Sequence, residues 1–194
     1  MNRAFTLIEL LVTMILILLM YFLLFSAGSK PYQERQKILC QKNLQSVHVA
    51  LKIYAADHQE HFPANGAASV AEEPLSLLVP TCTTDTAIFT CPGSGDRTLP
   101  SGEPFASRRA SYAYCMGLKA GAGPRQWLVS DRQVNALAKK AGDPLFSSNG
   151  KPPGNNHRQF GGNLLFCDGH LESSPPAASQ ELSIPEGGTL LNPR

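Results

Sequence analysis

The fold is decided by one stretch, FTLIELLVTMILILLMYFLLF, which runs from Phe5 to Phe25. Two threonines and Glu9 are the only breaks in an otherwise apolar run. As a helix rising about 1.5 Å per residue, the stretch would be about 31 Å long, roughly the thickness of the hydrocarbon core of a bilayer. The sequence therefore predicts a helix that spans a membrane.

Glu9 is the anomaly in this stretch. A carboxylate inside a membrane costs several kcal/mol unless it is neutralised or paired, so we expect Glu9 to have a partner and a function. Two simpler interpretations stay open: a cleaved signal peptide with small residues at 26–28, and an uncleaved signal anchor. Neither requires an acid near the start of its apolar run.

The residues around Glu9 favour one interpretation of the apolar segment. RAFTLIELLV, from Arg3 to Val12, closely resembles the leader junction of type IV pilins and type II secretion pseudopilins. The resemblance implies that a prepilin peptidase cleaves between Ala4 and Phe5 and methylates the new amino terminus of Phe5. It also implies that Glu9 acts in assembly by neutralising the terminal amine of a neighbouring subunit. Ala4 stands where the family usually has Gly, and the family's frequent helix-kinking Pro is missing from the apolar run.

Beyond a break at 27–31, the sequence predicts a second helical segment that packs on a domain. It should end between Asp57 and Glu60, because Pro63 cannot easily continue a helix. We expect no chemistry from His48. One face carries residues at alternating spacings of four and three, Cys40, Leu44, Val47, Leu51 and Tyr54.

The segments that follow predict a small β-rich domain. Short strands are expected at 87–90, 111–115 and 126–130. Helical segments are expected at 75–79 and 134–140. The Gly- and Pro-rich segment 93–109 is predicted to be a mobile surface loop, and the tail 174–194 to be mostly disordered.

The best-defined motif of this domain lies around Asp168-Gly169, between two strand-like runs. This pair predicts a hairpin with a type I′ turn. Together with the segments 40–45, 50–57 and 61–63, with Cys91-Pro92 and with the segment 111–114, it resembles a pilin-like branch that carries a carboxy-terminal H-X9-DG signature. His157, Asp168, Gly169 and His170 would then form the signature, although ten residues, not nine, separate His157 from Asp168.

We interpret this signature as structural. Asp168 is expected to accept hydrogen bonds from the turn backbone, and His157 to pack or hydrogen-bond across the turn. His157, Asp168 and His170 are ligand types, but they offer too few oxygens for calcium and lack the tight spacing of a zinc motif. We therefore expect no metal, no cofactor and no catalytic residue.

The five cysteines leave at least one thiol unpaired in an extracytoplasmic domain. Cys82 and Cys91 are the first disulfide predicted, because a short turn-rich segment separates them. A Cys115–Cys167 pair stays open if their strands are adjacent. Cys40 is expected to be a small buried hydrophobe of the helix.

The sequence thus predicts an α+β, pilin-like fold, in which a long amino-terminal helix packs on a small antiparallel sheet. We expect a structural subunit of a type IV pilus-like or type II secretion filament, not an enzyme. The predicted segments are a leader 1–4, a transmembrane and filament-core segment 5–27, a periplasmic helix 28–62, a globular head 63–173 and a tail 174–194.

Partners and location follow from the same interpretation. The expected partners are the prepilin peptidase, identical or related subunits and the bacterial inner membrane. A net charge of +2 gives no reason to expect nucleic acid. Arg3 on the cytoplasmic side places the carboxy-terminal domain in the periplasm or on the cell surface. The alternatives are an uncleaved, membrane-anchored binding module and an anchored hydrolase with scattered candidate residues.

Overall fold

The computed structural model describes residues 6–26, 30–135, 140, 142–147, 156–157, 160–174 and 182–194. The chain is α+β and divides into two units, Met1–Arg35 and Gln36–Arg194. Its helices are α1 (Leu7–Ser26), α2 (Lys30–Asp57) and α3 (Glu72–Leu75), followed by 3₁₀ turns at Ser76–Leu78 and Thr86–Phe89. Its strands are β1 (Tyr112–Met116), β2 (Trp127–Asp131), β3 (Gly162–Phe166), β4 (Leu171–Ser174) and β5 (Thr189–Leu191).

The first unit contains α1, which is long and apolar enough over Leu7–Leu24 to span a membrane. Its large apolar side chains are exposed along this whole range. Thr6 and Glu9 form a capping box at its start. The Glu9 carboxylate accepts hydrogen bonds from the Thr6 backbone N–H (3.1 Å) and hydroxyl (2.9 Å), and the Glu9 N–H donates to the Thr6 hydroxyl (3.4 Å). The predicted cleavage site, Ala4 and Phe5, and the first part of the predicted break, 27–29, lie outside the described residues. The last two residues of that break, 30 and 31, already belong to α2.

The second unit is built on a five-stranded antiparallel sheet with the order β4-β3-β2-β1-β5. In the centre of the sheet, Tyr112 on β1 lies opposite Asp131 on β2. A register shift between Trp127 and Val129 interrupts the pairing of β2 with β3. Every residue of β2 and β3 is buried, so both faces of these strands are covered.

The amphipathic stripe of α2 packs on this sheet as predicted, and the helix ends at Asp57. Cys40, Leu44, Val47 and Leu51 are fully buried, and Tyr54 is half-buried. Polar residues beside the stripe also reach the sheet. The Gln41 amide donates a hydrogen bond to the Asn163 side chain on β3 (3.1 Å).

Several local predictions are wrong. Residues 86–89 form a 3₁₀ turn in place of a strand, because the Asp85 carboxylate accepts a hydrogen bond from the Ala87 N–H and caps it (3.0 Å). The tail is not mostly disordered where it is described, since β5 pairs with β1 and buries Leu190 and Leu191. Buried Leu99 and Phe105 anchor the segment predicted to be a mobile loop. Most of the helix predicted at 134–140 lies outside the described residues.

Candidate functional site

Four polar side chains from four separate segments meet in the interior of the second unit. Cys40 lies on α2, Cys91 follows the second 3₁₀ turn, Asp131 ends β2, and His157 precedes β3. One sulfur, oxygen or nitrogen atom from each lies within 4.8 Å of the corresponding atom of every other. All four residues are buried. We refer to these four residues as the buried cluster.

The fold explains how the buried cluster forms. The stripe of α2 places Cys40 over the sheet, and its thiol lies 3.2 Å from the Tyr112 hydroxyl on β1. Because Tyr112 pairs with Asp131 across β1 and β2, the Asp131 carboxylate reaches the same point. The Asn43 side chain donates to the Thr90 carbonyl (2.9 Å), which holds the segment before Cys91 against the helix.

The contacts within the buried cluster are short. The Cys40 thiol donates to one Asp131 carboxylate oxygen at 3.2 Å. The Nε2 of His157 lies 3.4 Å from the other oxygen of Asp131 and 3.3 Å from the Cys91 sulfur. The Nδ1 of His157 has no hydrogen-bond partner among the described residues. Both partners of His157 therefore lie on the same ring nitrogen.

Uncharged donors surround the Asp131 carboxylate. Asn156 donates from its side chain at 2.6 Å, and Asn163 donates from its backbone N–H at 2.7 Å and from its side chain at 3.0 Å. A fully buried carboxylate is costly unless its oxygens are hydrogen-bonded. These amides therefore stabilise Asp131 as an anion in the core.

The buried cluster has strongly shifted ionisation. Burial opposes protonation of His157, but hydrogen bonds and charge interactions with Asp131 and Cys91 outweigh it and raise the pKa of His157 to about 10. Burial likewise opposes ionisation of Asp131, yet hydrogen bonds from His157 and Asn156 lower the pKa of Asp131. For Cys91, the interactions with Cys40 and His157 outweigh burial and lower the pKa, whereas burial raises the pKa of Cys40 well above its ordinary value.

This geometry differs from that of a nucleophilic triad. In a triad, one ring nitrogen of the histidine faces the nucleophile and the other faces the orienting acid. Here Cys91 and Asp131 both face Nε2 of His157, and none of the three side chains reaches solvent. The arrangement is suited to holding charge or an ion in the core.

The predicted hairpin forms at Asp168-Gly169, between β3 and β4, but its turn is not type I′. Only Gly169 has positive φ there (+94°), and its N–H donates to the Phe166 carbonyl (3.0 Å). This is a tight turn followed by a left-handed glycine, which needs only one residue at positive φ. As predicted, Asp168 accepts from the backbone of the turn, through the His170 N–H (3.0 Å).

The prediction that His157 packs or hydrogen-bonds across the turn is wrong. His157 lies in the buried cluster, whereas Asp168 and His170 pair with each other on the surface, with 2.6 Å between the carboxylate and Nδ1. The signature residues are therefore divided between two places. The side chain of the hairpin's His170 also stacks on Phe166 (ring centroids 4.2 Å apart).

The predicted Cys82–Cys91 disulfide is not formed, and all five cysteines are free thiols in the structure. The strands of the Cys115–Cys167 pair, which the sequence leaves open, are not adjacent, since β2 lies between β1 and β3. Cys91 belongs to the buried cluster, and Cys82 lies outside it, half-buried. Cys115 and Cys167 are buried apart from the cluster, and burial raises the pKa of each to about 12. Cys40 is buried as expected, but its thiol is hydrogen-bonded and does not act as a simple hydrophobe.

A second polar site lies at the surface, beside the loop 93–109. Asp96 pairs with Arg132 and with Arg109, the latter at 3.2 Å. A cleft of about 430 Å³ opens there, lined by residues 95–100 with Arg108 and Arg109. Its lining carries three arginines, Arg97, Arg108 and Arg109, and one acid, Asp96, which already pairs with Arg109.

From the sequence, three members of the buried cluster are named, Cys40, Cys91 and His157, but they are not brought together, and Cys40 is assigned no polar role. Neither Asp131 nor the donors Asn156 and Asn163 are identified. The signal in the sequence for Asp131 is that it is an acid directly following the apolar run 126–130.

No family profile, curated protein or solved structure matches the chain.

Proposed function

We propose that this chain is a structural subunit of a type IV pilus-like or type II secretion filament. Prepilin peptidase removes residues 1–4 and methylates Phe5. Before assembly, the mature subunit resides in the inner membrane as a single-pass protein, with its carboxy-terminal domain outside the cytoplasm. It then joins identical or related subunits through α1.

The observation that carries the proposal is the surface of α1. Large apolar side chains cover it on all sides from Leu7 to Leu24, and they are exposed, with values such as 71% for Phe22 and 59% for Leu16. Such a surface requires either lipid or other apolar helices around it. A filament core supplies the second environment after the membrane has supplied the first.

Glu9 supports the same proposal, but it also has a local role. Its capping box with Thr6 satisfies the carboxylate within the first turn, so helix capping alone would account for an acid here. The filament proposal adds a requirement that capping lacks, namely a negative charge. Glutamine caps equally well but is neutral, so the two roles are separable.

The first test is mass spectrometry of the amino-terminal peptide of the protein recovered from membranes of its own host. The proposal expects a peptide that begins at Phe5 and carries a methyl group. An intact Met1 would show an uncleaved anchor, in line with a membrane-anchored binding module, and would overturn the proposal. A start near Ser29 would show a cleaved signal peptide and would overturn it as well.

The second test separates charge from capping. In Glu9→Gln, the cap is kept and the charge is lost, and we expect incorporation into filaments to fall roughly tenfold or more, equivalent to at least about 1.4 kcal/mol of assembly free energy. In the matched variant Thr6→Ala, the cap is weakened and the charge is kept, and incorporation should change far less. Pelleted filaments and membrane fractions are compared by immunoblot.

The result that contradicts an assembly role for Glu9 is the reverse order. If Glu9→Gln assembles normally and Thr6→Ala does not, the acid serves only to start the helix. Both variants should still reach the membrane in normal amounts.

A further inference from the structure

We propose that the buried cluster is a zinc site, in which Cys40, Cys91, Asp131 and His157 bind one Zn²⁺. The proposal concerns the second unit and is independent of the filament role of α1. It also replaces the hydrogen-bonded hairpin role that the sequence suggested for His157.

Three distances within the cluster are close to those between zinc ligands. Zinc bonds of about 2.0–2.3 Å in a tetrahedron place neighbouring ligand atoms roughly 3.3–3.8 Å apart. Three observed separations lie close to this range: 3.2 Å from Cys40 to one Asp131 oxygen, 3.3 Å from Cys91 to His157 and 3.4 Å from His157 to the other Asp131 oxygen. One ligand atom from each of the four residues lies within 4.8 Å of the others, so one ion at the centre would contact all four side chains once the wider pairs move closer together.

Hydrogen bonding alone accounts poorly for these contacts. The Nε2 of His157 has a single direction for a proton or a lone pair, yet Cys91 and Asp131 both lie against it. Thiols are weak donors, so Cys40 and Cys91 add little hydrogen-bond energy in return for burial. A cation at the centre of the four side chains would give each of them a partner, because one ligand atom from each lies within 4.8 Å of the others.

The surroundings supply what a metal centre needs beyond its ligands. Two thiolates and one carboxylate around Zn²⁺ leave one net negative charge, which buried donors must compensate. Asn156 and Asn163 donate to Asp131, and the Tyr112 hydroxyl lies 3.2 Å from the Cys40 sulfur. The ligands bind in their deprotonated forms, and the displaced protons pass to solvent.

The donor set favours zinc and a structural role. Sulfur and nitrogen ligands favour zinc over calcium or magnesium, which prefer oxygen. Four protein ligands fill a tetrahedron, and all four are buried, so no coordination position is left for a substrate. The ion would join α2 to three segments of the sheet domain that are far apart in sequence.

The test uses the full chain, purified in detergent under reducing conditions and stripped of metal with a chelator. It is loaded with Zn²⁺ or with Co²⁺, and metal per chain is measured by elemental mass spectrometry after gel filtration. We expect one ion per chain. The Co²⁺ form should show the thiolate-to-cobalt charge-transfer band and the visible bands of a tetrahedral centre.

Variants locate the ion. Cys91→Ser and His157→Gln should lose the bound metal, whereas Cys82→Ser, which changes a cysteine outside the buried cluster, should keep it. Fluorescence of Trp127, the only tryptophan, reports whether each variant is folded. Because the cobalt spectrum is recorded on the unaltered chain, the proposal stays testable even if a variant fails to fold.

Three results would overturn the proposal. In the first, the folded chain with reduced thiols takes up no Zn²⁺ or Co²⁺. In the second, the chain binds metal, but Cys91→Ser retains it or Cys82→Ser loses it. The third is a Cys40–Cys91 disulfide in peptides of the protein isolated from its own host, since oxidation of this pair would remove two ligands.

Discussion

Two histidine–aspartate pairs of this chain have the same chemistry in opposite surroundings. His157 and Asp131 are 3.4 Å apart, and neither side chain is exposed. His170 and Asp168 are 2.6 Å apart, and their side chains are 42% and 41% exposed. The shorter contact is thus the one in water. Distance alone therefore does not rank the two pairs.

The surroundings of the two pairs rank them by how much each contributes to stability. A surface ion pair is screened by water and contributes about 0–1 kcal/mol. Breaking a buried pair leaves the other charge without compensation and costs about 3–5 kcal/mol. The pairs also differ in origin, because Asp168 and His170 are two residues apart, whereas folding brings Asp131 to His157.

The largest expected difference comes from removing one carboxylate at a time. Asp131→Ala should lower the free energy of unfolding of the second unit by about 3–5 kcal/mol, because His157 and the donors from Asn156 and Asn163 lose their acceptor. Asp168→Ala, the matched surface change, should cost about 1 kcal/mol or less. Urea unfolding of the full chain in detergent, followed by Trp127 fluorescence, measures both. Equal losses would show that burial does not separate the pairs.

A smaller effect is expected from crowding the buried histidine. A Cβ on Gly93 would lie 2.6 Å from Nδ1 of His157 and 2.9 Å from the Asn156 carbonyl, so Gly93→Ala should cost about 1–3 kcal/mol. Gly121→Ala is the control, since among the described residues beyond its chain neighbours nothing lies within 4 Å of a Cβ built there. The same urea titration applies. If Gly93→Ala is as stable as Gly121→Ala, the His157 ring is free to move and the cluster is looser than described.

The smallest effect is expected in the pH dependence of the exposed pair. Slight burial opposes protonation of His170, but Asp168 and Glu172 outweigh it and raise its pKa above the ordinary 6.5. The folded state therefore favours protonated His170, and this contribution is present below pH 6.5 and lost as pH rises through the raised pKa. The stability advantage of the unaltered chain over His170→Gln should be larger at about pH 5 than at about pH 9. An advantage that grows with pH would contradict the pairing.

Much of the fold was predictable from local patterns. The 3–4 spacing that begins at Cys40 predicted the buried stripe of α2, and Pro63 predicted where the helix stops. The alternation at 111–115 and the run at 126–130 predicted β1 and β2. These patterns are reliable because a helix or strand buries residues that lie only a few positions apart.

The wrong predictions have equally definite causes. The segment 87–90 has strand-like composition, but the cap from Asp85 turns it into a 3₁₀ helix. Composition suggested a loose tail, but β1 has an open edge that β5 fills through backbone hydrogen bonds, which composition does not record. The Thr-x-x-Glu capping box at Thr6 and Glu9 is also a local pattern, which the sequence carries without its forming part of the predictions above.

Sequence and tertiary structure therefore account for different parts of this protein. The letters alone specify the apolar helix, the amphipathic helix and the position of the hairpin at Asp168-Gly169, though not its turn type, because each depends on neighbours within a turn or two of chain. The buried cluster depends on the register of β1 with β2, on the stripe of α2 and on the loop before β3. Its members are tens of residues apart, so no local spacing marks them. Their chemistry arises from burial and mutual distance, which exist only once the chain has folded.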